Sequence, residues 1–256
     1  MSDPRLHARV LDAVRGRGSV RILPSLASLL DYLRAESADV VILPPRDTSG
    51  CEAAPIVREI VRRSPQTALV AYLEPHYQGS SDIRALAIAG VHQFLFVGEE
   101  SRLALYSLLE SARRECAAEQ VMHRLGAIFD ERIHPSVELC LMHPAAIRAV
   151  DDLVVASRLH RKTLYNQCRR AGLTGPAELI AWCRLALAAF ILRATAKTIE
   201  AVADELEFAS PTALRNMIKR YTGLRASEVR TAGGLECIAS ALQLRLGRSL
   251  RALHVV

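Results

Sequence analysis

The sequence predicts two domains: an α/β N-terminal parallel-sheet domain, then an all-α C-terminal domain with two helix-turn-helix units. Three observations predict this. Continuous apolar runs such as ADVVILPP (38–45) and TALVAYLEP (67–75) alternate with amphipathic helical stretches in the first half, the pattern of a parallel sheet covered on both faces. The second half twice repeats a short apolar-faced helix, a tight turn and a polar, basic helix. Basic charge is concentrated there: residues 158–230 carry 13 basic and 6 acidic side chains, whereas residues 1–125 carry 15 of each.

The first half reads in order as follows. RLHARVLDAVRG (5–16) is a helix, SVRILPS (19–25) a strand and LASLLDYLRAES (26–37) a helix. ADVVILPP is a strand, AAPIVREIVRRS (53–64) a helix, TALVAYLEP a strand, SDIRALAIAG (81–90) a helix and VHQFLFVG (91–98) a strand. A long helix from about Glu99 passes beyond Arg114, with Leu105, Leu109, Ala112, Cys116 and Val121 on its apolar face. The expected boundaries are 1–98 for the sheet domain, 99–125 for a connecting helix, 126–232 for the double helix-turn-helix and 233–256 for a C-terminal tail.

In the second half, Asp151 and Asp152 suit the first turn of a helix, where negative charge is favoured. Leu153, Ala156 and Leu159 give that helix an apolar face. His160 precedes RKTLYNQCRRAG (161–172), where Leu164 and Cys168 face inward, and Arg161, Lys162, Tyr165, Asn166 and Arg169 face outward. Gly172 is a left-handed stop. Gly175-Pro176 starts a long helix, apolar on most sides, that reads as a buried strut. The second unit runs from Ile199, Val202, Ala203 and Leu206 through Phe208 to Ser210, an N-cap, and Pro211 at the first helical position. On its second helix Leu214, Met217 and Ile218 face inward, leaving Thr212, Arg215, Asn216, Lys219 and Arg220 outside.

Such a pair of helices fits a major groove. Two units on one strut would place two such helices in successive groove segments, about 34 Å apart. Double-stranded DNA is therefore the expected partner. Thr212, Arg215 and Asn216 are candidates for base edges or adjacent phosphates, since Arg matches guanine and Asn matches adenine through paired hydrogen bonds. Lys219 and Arg220 are candidates for phosphate. Arg161, Lys162, Tyr165, Asn166 and Arg169 are the corresponding set in the first unit. Two alternatives stand beside these roles: Arg215 paired internally to the support helix near Asp204 and Glu205, and Tyr165 simply packed.

Residues 126–232 resemble the DNA-binding domain of the AraC/XylS family of bacterial transcription regulators. The resemblance rests on Ile199, Val202-Ala203, Leu206, Phe208, Ser210, Arg215, Lys219-Arg220, Thr222-Gly223 and Ser227-Glu228-Val229-Arg230, and on Leu179, Arg184-Leu185 and Ala188 in the strut. The chain departs from the family where Val154 replaces a small alanine, where Arg158 and Glu207 replace the turn glycines, and at His160 in place of a serine cap. If those turns need positive φ, each non-glycine residue costs about 1 kcal/mol.

The first half resembles the receiver domain of two-component response regulators, lacking its first strand. Asp39, Pro65 and Ala89-Gly90 carry that resemblance. Receiver chemistry needs an acidic pair, a phosphoacceptor Asp, a hydroxyl residue and a Lys. The resemblance places Pro44 at the phosphoacceptor, Tyr72 or Leu73 at the hydroxyl and Val97 at the lysine, with Asp47 three residues late in a loop. The expectation is a degenerate, truncated receiver-like domain, not controlled by phosphorylation, that pairs with itself or a partner through its final helix–strand face and the helix 99–125.

Six cysteines form no CxxC pair, and His134, Glu138, Cys140 and His143 match no metal-ligand spacing. No nucleophile–base set and no phosphate loop stands out. No enzyme activity, cofactor or metal is expected. Neither a signal peptide nor a membrane-length apolar run is read, so a cytoplasmic protein is expected. The competing functional class is a protein-interaction adaptor whose helix-turn-helix units serve as scaffolding.

Overall fold

A computed structural model describes residues 4–16, 18–74, 77–96, 101–195 and 197–253. The chain divides into two compact units, Met1–Cys116 and Ala117–Val256.

The first unit is a small parallel sheet with helices, the fold class expected from the sequence. Its elements are α1 (Pro4–Ala13), α2 (Leu26–Ala35), β1 (Val40–Leu43), α3 (Ala53–Arg63), β2 (Ala68–Leu73), α4 (Ser80–Ala89) and β3 (Gln93–Phe96). The strands lie in the order β1-β2-β3, all parallel, with Val40 opposite Ala68 and Val70 opposite Gln93. All six residues of β2 are buried, as a central strand covered on both faces requires. Leu26, Leu29, Val57, Ile60 and Leu86 pack one face, whereas Leu6, Val10, Leu105 and Leu109 pack the other. Gly90 ends α4 in the left-handed region, φ 107°, where a side chain would be strained.

One expected strand is not formed. Residues 19–25 pair with no strand among the described residues. Ile22 is 48% exposed, and Pro24 has no amide hydrogen to give a ladder. The apolar residues of this run are too few and too separated to bury a strand.

The long helix α5 is Arg102–Gly126; Val97, Glu99 and Glu100 lie outside the described residues. Leu105, Leu109, Ala112 and Cys116 belong to the core of the first unit, and Val121 and Leu125 to that of the second. The division between the units thus falls inside this helix, and packing within each unit accounts for Leu105, Leu109, Ala112, Cys116 and Val121.

The second unit is all helical, also as expected. A 3-10 turn (Glu131–Ile133) leads into α6 (His134–Met142), then α7 (Val150–Ser157), α8 (Arg161–Arg170), α9 (Pro176–Ala194), α10 (Ile199–Glu205), α11 (Pro211–Thr222), α12 (Ala226–Thr231) and α13 (Leu235–Leu253). Of these, α9 is the axis. Residues 179–189 are buried without interruption, and α6, α7, α8, α10, α12 and α13 all pack on it. Residues 233–256, named a tail above, contain α13, whose Ile238, Ala239, Leu242 and Leu246 are buried.

Candidate nucleic-acid interface

Both units have capped helix starts and a glycine after the second helix, with different capping residues. In the second, Thr198 accepts from the Ala201 amide (3.3 Å) to start α10, and Ser210 accepts from the Ala213 amide (3.1 Å) to start α11. Gly223 closes α11 at φ 76°. In the first, the Asp152 carboxylate accepts from the Ala149 amide (2.8 Å) ahead of α7, and His160 Nδ1 accepts from the Lys162 amide (3.2 Å) ahead of α8. Gly172 follows α8 at φ 81°.

The turns explain the two departures noted in the sequence. Arg158 has φ 53° and Glu207 φ 49°, the two positive-φ residues other than glycine among those described. Both therefore hold the left-handed backbone that a glycine would hold without strain.

A buried arginine secures the second turn. Arg184 on α9, 6% exposed, donates to the carbonyls of Leu206 (2.7 Å), Glu207 (3.1 Å) and Pro144 (3.4 Å). Its guanidinium also lies 4.4 Å from the centroid of the Phe208 ring. Burial lowers the Arg184 pKa; the carbonyl bonds and the ring compensate for the lost water.

Of the ten residues singled out in the sequence, nine are exposed: Arg161, Lys162, Asn166, Arg169, Thr212, Arg215, Asn216, Lys219 and Arg220. Tyr165 is half-buried and lies against Gly175, where an added Cβ would stand 3.0 Å from its ring. The inward set also holds, with Leu164, Cys168, Leu214 and Ile218 buried and Met217 partly so. Ala156 does not hold. It is exposed, with its neighbour Val155 at 77%, because α7 rests on Leu153 and partly on Val154.

Two of the exposed arginines are paired internally. Arg215 meets Glu200 at the start of α10, and Arg161 meets Asp151 at the start of α7. Asp204 and Glu205 are nearer to Arg215 in sequence, but Glu205 pairs with Lys197 at 2.7 Å. Asp151 and Glu200 each stand seven residues before the positive-φ residue of their unit. This register, once the units are aligned on Arg158 and Glu207, is the signal that could have named Glu200. The structural role of Arg184 leaves no such signal, since its contacts are backbone carbonyls distant in sequence.

His134 Nε2 lies 3.1 Å from both the Gly126 and Phe129 carbonyl oxygens, which ties it to the backbone. Cys140, Cys168 and Cys183 are buried in one core, and burial pushes the Cys168 thiol up to about 12. Among the described residues no helix is long and apolar enough to cross a membrane.

The family match agrees with this geometry. Residues 153–232 match the family model described as Helix-turn-helix domain, of the AraC type. None of the curated proteins matches the chain. Among solved structures, the chain is similar to full-length FixJ from B. japonicum, with 14% identity and TM-score 0.39, covering 88% of this chain and 96% of that one. It is also similar to RcsB from Salmonella enterica serovar Typhimurium, solved bound to promoter rprA, with 12% identity and TM-score 0.34, covering 70% and 94%. The family match supports a DNA-binding transcription regulator and points away from an enzyme.

Proposed function

We propose that this chain is a sequence-specific, cytoplasmic transcription regulator whose two helix-turn-helix units bind successive major-groove segments of one double-stranded DNA site. The observation that carries the reading is the repeated geometry. Two capped helices, α8 and α11, each follow a left-handed turn and expose basic and amide side chains; α8 rests on the strut α9, and α11 on α10 and α13, which themselves pack on α9. Arg161, Lys162, Tyr165, Asn166 and Arg169 serve the first arm; Thr212, Arg215, Asn216, Lys219 and Arg220 serve the second. Footprinting on genomic fragments tests it. A protected site of about two helical turns is expected, and protection of one turn or none would count against paired reading.

Control does not run through phosphorylation. Pro44 follows β1 where a receiver would carry its phosphoacceptor, and a proline cannot take a phosphoryl group. The Asp47 carboxylate is occupied by the amides of Ser49 (2.9 Å), Cys51 (3.0 Å) and Leu26 (3.4 Å). Arg46 further fastens that loop to Asp82 at 2.9 Å and to Glu52 at 2.9 Å. The first unit instead pairs with a second copy or a partner. Ile88, Phe96 and Leu103, on α4, β3 and α5, are 77%, 55% and 76% exposed, and this reading assigns them to the pairing face. Sedimentation of the full chain should show a dimer that Leu103→Glu weakens; a strict monomer at high micromolar concentration would exclude self-pairing.

One observation favours a second reading, a protein-interaction adaptor. Arg161 and Arg215 already have carboxylate partners within their own units. Binding that shows no protected sequence and little salt dependence would select this reading.

A further inference from the structure

The second unit contains a cavity of about 780 Å³ between the start of α9, the end of α11 and the middle of α13. Its walls include Glu178, Trp182, Arg220, Tyr221, Leu244 and Arg245. The volume lies within the range of small-molecule sites, roughly 300–1,000 Å³.

The charges in this cavity are unequal. Glu178 is used up: its carboxylate accepts from the Thr174 amide (2.7 Å), the Thr174 hydroxyl (2.8 Å), Trp182 Nε1 (3.4 Å) and Arg245 Nε (3.2 Å). The charge of Arg245 is thereby balanced. Arg220 is exposed, sits 5.9 Å from the centroid of the Tyr221 ring and has no carboxylate partner among the described residues. It is the cation left to receive an anion.

Tyr221 and Leu244 supply the apolar part of the remaining wall, beside Thr174 and Thr222. Trp182 and Tyr221 form an edge-to-face pair at 4.8 Å, and Leu244 is 66% exposed beside them. Trp182 is itself buried, so the half-buried Tyr221 ring and the uncovered leucine are the apolar surface that loses water to a ligand ring.

We propose that this cavity is an effector site for a small aromatic carboxylate, with the carboxylate on Arg220 and the ring against Tyr221 and Leu244. Its consequence rests on the reading above, in which Arg220 contacts phosphate: a carboxylate on Arg220 removes one DNA contact, so the ligand weakens DNA binding.

Binding is tested first without DNA. Trp182 is the single tryptophan of the chain and packs edge-to-face on Tyr221, so its fluorescence responds when a ligand shifts that ring. Full-length protein is titrated with 4-tert-butylbenzoate and with the neutral 4-tert-butylbenzamide, and amide NMR shifts are followed in parallel. Saturable binding of the acid, at least tenfold tighter than the amide, is expected. The loss of one charge-assisted hydrogen bond in Arg220→Gln should weaken it by about tenfold or more. Leu244→Glu, at an exposed position, should abolish it while the fold is kept. Absence of saturation to 5 mM, equal binding of acid and amide, or binding unaffected by both variants overturns the site. If the acid binds but leaves DNA affinity unchanged, the site stands and the phosphate role of Arg220 fails.

Discussion

Arg184 on the central helix donates to the carbonyl of Leu206 at 2.7 Å, so a buried charge holds the turn between α10 and α11. A second bond to Glu207 at 3.1 Å reaches the residue whose φ is 49°. The strained residue and its clamp therefore form one device. The positive φ turns the chain sharply, and the guanidinium satisfies the carbonyls that the turn exposes to the core.

Arg184→Leu should therefore destabilise the second unit by about 2–4 kcal/mol, because two buried carbonyls lose their donors. Arg184→Lys should recover only part of this, since a point-charge ammonium cannot fork between carbonyls as a guanidinium does. Urea unfolding followed through Trp182 measures both. Equal stability of Arg184→Leu and the parent would mean the clamp is incidental.

At Arg158 and Glu207, glycine should cost nothing and could gain up to about 1 kcal/mol: it relieves the left-handed strain, and extra unfolded-state freedom takes part of the gain back. A β-branched residue should lose about 1–2 kcal/mol or more at either position. Thermal melting of Arg158→Gly and Arg158→Val separates the cases; a less stable glycine variant would argue that Arg158 contributes contacts outweighing its strain.

Much of this was legible in the sequence, and the boundary between what was and was not has physical causes. The continuous run of β2 and the capped starts at His160 and Ser210 depend on neighbouring residues, so local pattern reveals them. Residues 19–25 misled because a short apolar run with proline fits a strand as readily as an exposed connection. The partners of Arg161 and Arg215 were hidden for another reason: ion pairs depend on where helices cross. Asp204 and Glu205 were nearer in sequence, but the turn at Glu207 brings Glu200 to Arg215 instead. The helix α6 went unread because it combines apolar residues with no clear facial periodicity.

Those ion pairs should restrain DNA binding. Glu200→Gln and Asp151→Asn each free an arginine for phosphate or base, so affinity should rise several-fold at low salt and its salt dependence should steepen. Fluorescence anisotropy from 50 to 300 mM salt reads both quantities. A loss of affinity in Glu200→Gln would indicate that the carboxylate positions Arg215 for base contact.

Alkaline pH should unfold the second unit early. The Cys168 thiol is held near 12 by burial, against 9.0 for a free thiol, and a hydrogen bond with Cys140, together with burial, raises Cys183 as well. Raised folded-state values mean the stabilisation is complete below about 9 and is lost as pH climbs from there towards 12. Circular dichroism across pH 8–12 should show this loss, and Cys168→Ala should flatten the profile even if it lowers stability at neutral pH. An unchanged alkaline profile would assign the loss to other groups.

The central claim, two arms acting together on DNA, is tested most directly by the salt dependence of binding to the footprinted site. Lys162→Ala/Arg169→Ala removes charge from the first arm, and Lys219→Ala from the second. If both arms engage phosphate, each variant should make the slope of log K against log salt shallower, by about 0.9 per lost contact, with footprint protection reduced on its own half. An unchanged slope in the first-arm variant, with protection of one groove segment only, would contradict the paired arrangement and leave α11 as the lone reader.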